Sequence, residues 1–458
     1  LEESGCLAAS QASLVVTHDL VRQVTVGRTT SLVSSKLHTR ISEVLESEFD
    51  QTGAPELLLE SLAHLAQSRS DGLLAYFLQR HEKALLESGR PQIVLQCIGG
   101  RDESTLPVLN SKRYSRMITR LEVESGNFQR ALRSLSNAVR ITAAIEPGNS
   151  EVVDEHLSYV ESAFRSDPIA DPVELGEYSG AIASSEEASL DLRLRAADIG
   201  LVIASNTCDF ALAEKCYRGL QATNGAHIAD ERIQRVAVIF HTVFGGTDVA
   251  YRYAEALIDR GLHQPATTAL VVDCSRAGYV FRMTGHPNDA KRAFKRAREL
   301  AIEIDSTRLA EYPTWQLAQV HLEAGDLQEA ISFTNLLAEY ASTNNDENAN
   351  SFIHGHLCTM AIFAGDRTTA LSHLERCKRS LPRIPHLRSS AYVTGLELTT
   401  LLLDPDWRPA PDHLEVALDR FEKTSRFAGV DLLAAATISA LVRNSDYTSA
   451  RALARKYM

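Results

Sequence analysis

Apolar residues recur along most of this chain with the spacing of amphipathic helices. From Trp315 to Ala324, and again from Ala330 to Ala338, apolar side chains stand at positions i, i+3, i+4 and i+7, which puts them on one face of a helix. The pair Gly325-Asp326 lies between these stretches. Glycine accepts the left-handed backbone that ends a helix, and aspartate caps the start of the next. The pattern therefore predicts two helices joined by a tight turn.

This helical hairpin recurs with a period of 40 residues. Gly285, Gly325 and Gly365 are spaced 40 residues apart, and an alanine follows each of them five positions later. The clearest and the looser copies of the turn begin, in chain order, at Ser70, Gly126, Cys208, Gly245, Gly285, Gly325, Gly365 and Ser445. A fixed period between about 20 and 50 residues indicates a solenoid, in which each unit buries its apolar face against its neighbours.

The unit resembles the tetratricopeptide repeat, in which alanine follows the turn, an aromatic residue or leucine comes four positions later, and a small residue three after that. The segment 274–297 fits best, and its matching residues are Gly278, Phe281, Ala290, Phe294 and Ala297. The family period is ~34 residues; the longer period here is similar to the superhelical version found in bacterial transcription activators. The resemblance implies an all-α fold, a right-handed superhelical solenoid of about ten tetratricopeptide-like hairpins.

The first 50 residues lack the repeat. Leu14–Val16 predicts a short strand, residues 17–22 read Thr-His-Asp-Leu-Val-Arg, an amphipathic helix is predicted over Leu37–Glu46, and a Leu-Ala-His sequence ends at His64. This order resembles the junction between the NTPase module and the helical repeats of bacterial signal-transduction ATPases, which include LuxR-type and maltose-activator-like transcription regulators. The resemblance implies two domains. Residues 1–50 are the end of a winged helix (its last helix and strand, residues 1–16) and a junction helix, and residues 51–458 are the repeat solenoid.

We expect the chain to be a piece of a longer protein, because it begins with Leu1 and stops within a helical pattern at Met458. The resemblance places an NTPase upstream. The sequence given contains no Gly-x-x-x-x-Gly-Lys-Ser/Thr loop, and Gly99-Gly100 is not followed by the lysine that such a loop needs. We therefore predict that this chain is not an enzyme and has no cofactor, with ATP and Mg²⁺ expected only for the missing upstream domain.

Composition narrows the function further. The chain has 458 residues with only 24 glycines and 14 prolines, which suits stacked helices. Its net charge of −12 argues against direct contact with nucleic acid, because phosphate binding requires clustered Lys and Arg. No apolar run reaches the ~20 residues of a membrane span, so no membrane partner is expected. Seven cysteines without a C-x-x-C pair favour a reducing cytoplasm.

Three more specific interpretations compete with simpler ones. A zinc site could be drawn from four residues, His354, Cys358, His373 and Cys377, but both cysteines fall at small-residue packing positions of the repeat, so no metal is predicted. The adjacent His18 and Asp19 suggest a hydrolase less well than a junction motif, because neighbouring helical residues do not face each other. The basic stretch 291–298 is explained by a solvated helix face.

The concave surface of the solenoid is the main candidate site, because the first helices of such hairpins line a continuous groove. Alignment on the Gly-Asp turn places seven first-helix residues on it, namely Arg232, Arg235, Tyr279, Arg282, Trp315, Gln319 and Phe352. Trp, Tyr and Arg are enriched at binding hot spots. The simpler alternative is that Trp315 only packs against the neighbouring repeat.

These observations lead to one functional hypothesis and one alternative. The hypothesis is an effector-sensing and protein-interaction arm of a bacterial ATPase that regulates transcription, binding a peptide, a protein or a small inducer in its groove. The effector would act by favouring one arrangement of the protein over another. The alternative is a constitutive protein-protein scaffold without an inducer. Both are compatible with a cytoplasmic location and with a homo-oligomer.

Overall fold

The structure, a computed structural model, describes eleven segments of the chain. They are residues 7–10, 13–16, 31–68, 70–98, 112–134, 150–166, 170–223, 231–344, 349–381, 387–424 and 431–457. The predicted His18–Asp19 motif and the Gly99–Gly100 pair lie outside these residues. Within them, no helix is both long and apolar enough to cross a membrane.

Contacts divide the chain into two compact units. One consists of Leu1–Ser88 and Ile93–Tyr114, and the other of Gly89–Gln92 and Ser115–Met458. The domain boundary proposed between residues 50 and 51 stays a prediction.

The first unit contains a short β-hairpin. Strand β1 (Leu7–Ser10) pairs antiparallel with β2 (Ser13–Val16), with Leu7 opposite Val16. The predicted strand at Leu14–Val16 is confirmed. The helix expected before it is wrong at Leu7–Ser10, which forms a strand. Pairing with β2 satisfies the backbone N–H and C=O groups of these residues, whereas an isolated helix this short is not stable in water.

Four helices follow the hairpin: α1 (Ser31–Thr52), α2 (Pro55–Ser68), α3 (Asp71–Glu87) and α4 (Pro91–Ile98). The predicted helix over Leu37–Glu46 lies within α1. Polar contacts join α1 to α2, since Ser42 Oγ lies 2.7 Å from Ser61 Oγ and His38 Nδ1 lies 2.8 Å from His64 Nδ1.

The remaining described helices follow one another as hairpins, confirming the predicted fold class. They are α5 (Lys112–Glu124), α6 (Phe128–Ser134), α7 (Ser150–Ser166), α8 (Pro172–Ala183), α9 (Leu190–Thr207), α10 (Phe210–Thr223), α11 (Glu231–Phe244), α12 (Thr247–His263), α13 (Thr268–Met283), α14 (Pro287–Glu303), α15 (Thr307–Glu323), α16 (Leu327–Asn344), α17 (Ala349–Phe363), α18 (Arg367–Ser380), α19 (Leu387–Leu402), α20 (Pro411–Thr424), α21 (Asp431–Arg443) and α22 (Tyr447–Tyr457).

The turns inside the hairpins have the predicted geometry. Gly285, Gly325 and Gly365 adopt φ angles of 79°, 74° and 71°. The side chain of Asp326 accepts a hydrogen bond from the backbone N–H of Glu329, as expected for a helix N-cap. Two copies of the turn carry a side chain at the left-handed position, with φ of 58° at Cys208 and 61° at Ser445.

Small residues allow the two helices of a hairpin to cross closely. Ala290, Phe294 and Ala297 of α14 are fully buried, and a Cβ atom at Gly278 of α13 would lie 2.7 Å from the Phe294 ring. Glycine is therefore required at this crossing. The packing roles predicted for these residues are confirmed.

The first helices of successive hairpins also pack against one another. Helices α9, α11, α13, α15, α17 and α19 each contact the next in this order, and α19 also contacts α9. We call these six helices the first-helix ring, and the surface that faces its axis the inner face.

Ser445 and Gly325, which both occupy left-handed turn positions, give a matched stability test. Ser445→Gly should raise the free energy of unfolding by roughly 1 kcal/mol, since a side chain in the left-handed region costs about that much. Gly325→Ser should lower it by a similar amount. A Cβ atom at Gly325 meets nothing within 4 Å, so only backbone strain changes there. Chemical denaturation followed by circular dichroism measures both, and shifts in the same direction would contradict the strain argument.

Candidate partner-binding surface on the first-helix ring

All seven residues predicted for the groove lie on helices of the first-helix ring. Arg232 and Arg235 belong to α11, Tyr279 and Arg282 to α13, Trp315 and Gln319 to α15, and Phe352 to α17. The side chain of Arg232 lies outside the described part of the structure. The other six divide into residues held in polar contacts between repeats and residues that keep accessible aromatic surface.

Arg235 ties α11 to α13. Its Nε and Nη2 donate to the two carboxylate oxygens of Asp273 at 2.5 and 2.8 Å, and the Asp273 side chain is completely buried. Arg260 approaches the same carboxylate to 3.6 Å. A buried carboxylate is tolerated only when it is paired and hydrogen-bonded, so Arg235 has a structural role in addition to any contact with a partner.

Arg282 starts a second polar network, which runs from α13 to α17. Its guanidinium donates to Glu323 at distances of 2.5 to 3.1 Å. The side-chain amide of Gln319 donates to the same carboxylate at 3.0 Å. The carbonyl of Gln319 in turn lies 3.1 Å from His356 Nε2. This order fixes the proton on Nε2 of His356, because a carbonyl oxygen can only accept.

His356 is held in its neutral form. The residue is almost fully buried. Burial, with a smaller contribution from the Arg282 guanidinium, lowers the pKa of His356 to about 3. The neutral ring therefore serves as a hydrogen-bond donor within the network at physiological pH.

The accessible part of the predicted site is aromatic. The rings of Trp315 and Phe352 lie 4.3 Å apart, and Tyr312 contacts Trp315 with 5.5 Å between centroids. Tyr312 is 41% and Phe352 36% exposed, whereas Trp315 is half-buried. Trp315 thus packs against the neighbouring repeat and also joins two accessible rings into one surface. We call Tyr312, Trp315 and Phe352 the aromatic run.

Tyr312 was missed by sequence reasoning. It precedes Trp315 by three residues on the same helix, so the two share a helix face, and this spacing could have identified it. Burial of the phenol group, with a smaller contribution from nearby Tyr279, raises the pKa of Tyr312.

The residues considered for zinc are arranged as packing elements. His354 Nδ1 lies 3.2 Å from His373 Nδ1, while Cys358 and Cys377 are buried in the core between α17 and its neighbours. Burial raises the pKa of Cys377 to about 12, and metal binding needs the thiolate. Among the residues that the structure describes, no three His, Cys, Asp or Glu side chains come together as a metal site.

The basic stretch 291–298 places its Lys and Arg side chains on a helix face that is exposed or partly exposed to solvent, in line with the simpler interpretation. Arg292 and Lys295 are exposed, and Arg296 donates to the backbone carbonyl of Gly261 at 2.9 Å and pairs with Glu303 at the same distance. The first contact joins α14 to α12, and the second lies within α14.

Comparison with known proteins assigns this chain to no family. No family model matches the sequence, and no curated protein matches it. The crystal structure of the yeast Tom70 is 13% identical, with a TM-score of 0.33 over 91% of each chain. The crystal structure of the APC/C hetero-tetramer Cut9-Hcn1 is 14% identical, with a TM-score of 0.27 over 96% of this chain and 95% of that chain. At these scores the likeness carries no argument about function.

The two arginine pairs should differ in their contribution to stability. Arg235→Met leaves the buried carboxylate of Asp273 without its main partner and should lower the free energy of unfolding by roughly 3 kcal/mol. Arg282→Met should cost at most about 1 kcal/mol, because its partner Glu323 is 45% exposed and can be hydrated. Denaturant titrations measure the difference, and equal losses would contradict the structural role of Arg235.

His356 should make stability depend on pH. Its folded-state pKa lies below the ordinary histidine value, so the stabilisation is complete above pH 6.5 and is lost progressively as the pH falls from 6.5 toward about 3. In His356→Gln this dependence should flatten, since glutamine does not titrate. Denaturation midpoints across the acidic range measure it, with His263→Gln, a change at an exposed histidine, as control. A wild-type slope in His356→Gln would exclude this role.

Proposed function

We propose that this chain is a partner-binding repeat module that takes a protein or peptide segment on the aromatic run. The observation that carries the proposal is the accessible, contiguous surface of Tyr312, Trp315 and Phe352, contributed by neighbouring first helices. Concave surfaces of helical repeats bind extended partners. Clustered Trp and Tyr side chains provide large contact areas at hot spots.

The polar contacts around this surface indicate the chemistry of the partner. The guanidinium groups of Arg235 and Arg282 are already engaged by carboxylates of the same chain. An acidic partner would have to replace those contacts, whereas an apolar or aromatic side chain could pack on the rings directly. We therefore propose a segment that inserts an apolar or aromatic anchor against Trp315.

A finer proposal concerns the biological setting. The junction-like sequence over residues 14–64 supports an effector-sensing arm of a bacterial signal-transduction ATPase that regulates transcription, located in the cytoplasm. In that setting the bound effector is a peptide, protein or small inducer. Its binding shifts the linked NTPase between its resting and active conformations. The alternative is a scaffold without an inducer. A small molecule that raises the melting temperature favours the sensor.

Binding can be tested with a displayed library of peptides. Peptides selected by the wild-type chain should carry apolar or aromatic residues, and Trp315→Ala and Phe352→Ala should each weaken them by at least about tenfold, the loss expected at a hot spot. Tyr447→Ala removes a more accessible aromatic ring, 63% exposed, in the last described hairpin, and should leave affinity unchanged. Peptides that bind all variants equally would refute the proposed surface.

A further inference from the structure

Arg388 makes contacts that the repeat architecture alone does not explain. It lies at the second position of α19. Its Nη2 donates to the hydroxyl of Tyr279 in α13 at 2.6 Å, and its Nη1 donates to the hydroxyl of Ser205 in α9 at 2.8 Å. In a solenoid each repeat normally contacts only its neighbours. Arg388 instead joins helices that are several repeats apart.

A second arginine completes a triangle of contacts across the first-helix ring. Arg276 of α13 reaches back to α9, where its Nη2 lies 2.6 and 2.7 Å from the carboxylate oxygens of Asp198. Helix α9 is therefore tied to α13 and to α19, and α13 is tied to α19. Together with the contact between α19 and α9, these bonds close the ring.

The hydrogen bonds across the ring differ in the charge of the groups that are left unpaired when they break. Breaking the contact between Arg276 and Asp198 separates two formal charges. Arg388, in contrast, reaches neutral hydroxyls on α9 and α13, those of Ser205 and Tyr279. Releasing a neutral acceptor costs less than abandoning a charged one. These two contacts of Arg388 are thus easier to open than the contact between Arg276 and Asp198.

We propose that Arg388 is a latch that holds the first-helix ring closed, and that its release opens the inner face. The proposal concerns closure of the ring and does not depend on what binds there. The aromatic run lies one helix from the latch, because Arg388 bonds to Tyr279 of α13 and α13 packs against α15, which carries Tyr312 and Trp315. Trp315 can therefore report on opening.

Trp315 fluorescence provides the first test. The chain has only two tryptophans, so Trp407→Phe leaves Trp315 as the single emitter. In that background Arg388→Ala should raise the acrylamide quenching constant of Trp315, and X-ray scattering should show a larger radius of gyration. The matched control is Arg420→Ala, because among the residues that the structure describes Arg420 bonds only to the adjacent helix α19, at Ser390 and Thr394.

A second variant keeps the test valid if Arg388→Ala fails to fold. Ser205→Ala combined with Tyr279→Phe removes both acceptor hydroxyls, retains the arginine and changes little volume. It should raise Trp315 quenching and speed amide exchange in α9 and α19 by about tenfold or more, as expected for the loss of hydrogen bonds to a charged group. If a folded latch variant shows the quenching and radius of the Arg420→Ala control, the latch is refuted.

Discussion

The close crossing of helices at small residues is the constraint on which the rest of this structure depends. Inside one hairpin, a Cβ atom at Gly200 would lie 2.5 Å from the sulfur of Cys216, and between hairpins one at Gly261 would lie 2.1 Å from Cys274. The same device therefore sets the spacing within and between units. Because each hairpin repeats nearly the same crossing, small rotations add up along the array, and α19 returns to α9.

Ring closure gives the polar residues of the inner face their roles. Contacts at the spacing of about one repeat join neighbouring first helices, as in the pairs Arg235–Asp273 and Arg282–Glu323. The buried carboxylate of Asp273 makes the first pair a fixed structural element, because its separation would strand a charge. The second pair is partly hydrated and can rearrange. What is left for recognition is mainly aromatic, so the surface combines a rigid polar frame with accessible rings.

The sequence predicts local features of this fold well and long-range ones poorly. The Gly-Asp turns and the buried Ala290 follow from backbone and packing rules that act within one hairpin. The strand at Leu7–Ser10 was missed because its stability comes from pairing with β2, not from its own residues. The contact between Arg388 and Ser205 could not be predicted, because it depends on the accumulated curvature of several repeats. Tyr312 is an intermediate case. It was not predicted, although its position three residues before Trp315 on the same helix places the two side chains on one helix face.

The latch and the aromatic run occupy the same arc of the ring. Arg388 ties α19 to α13, and α15 and α17, which carry Trp315 and Phe352, lie between those two helices in the order of contacts. If α13 moves away from α19, the contacts between the helices of that arc must lengthen, including the 4.3 Å contact between the rings of Trp315 and Phe352. If an anchor that packs against Trp315 lengthens that contact, its binding and the release of Arg388 favour the same open arrangement. By linkage each must promote the other, so a partner held on the aromatic run would bind more tightly to a ring whose latch is already released.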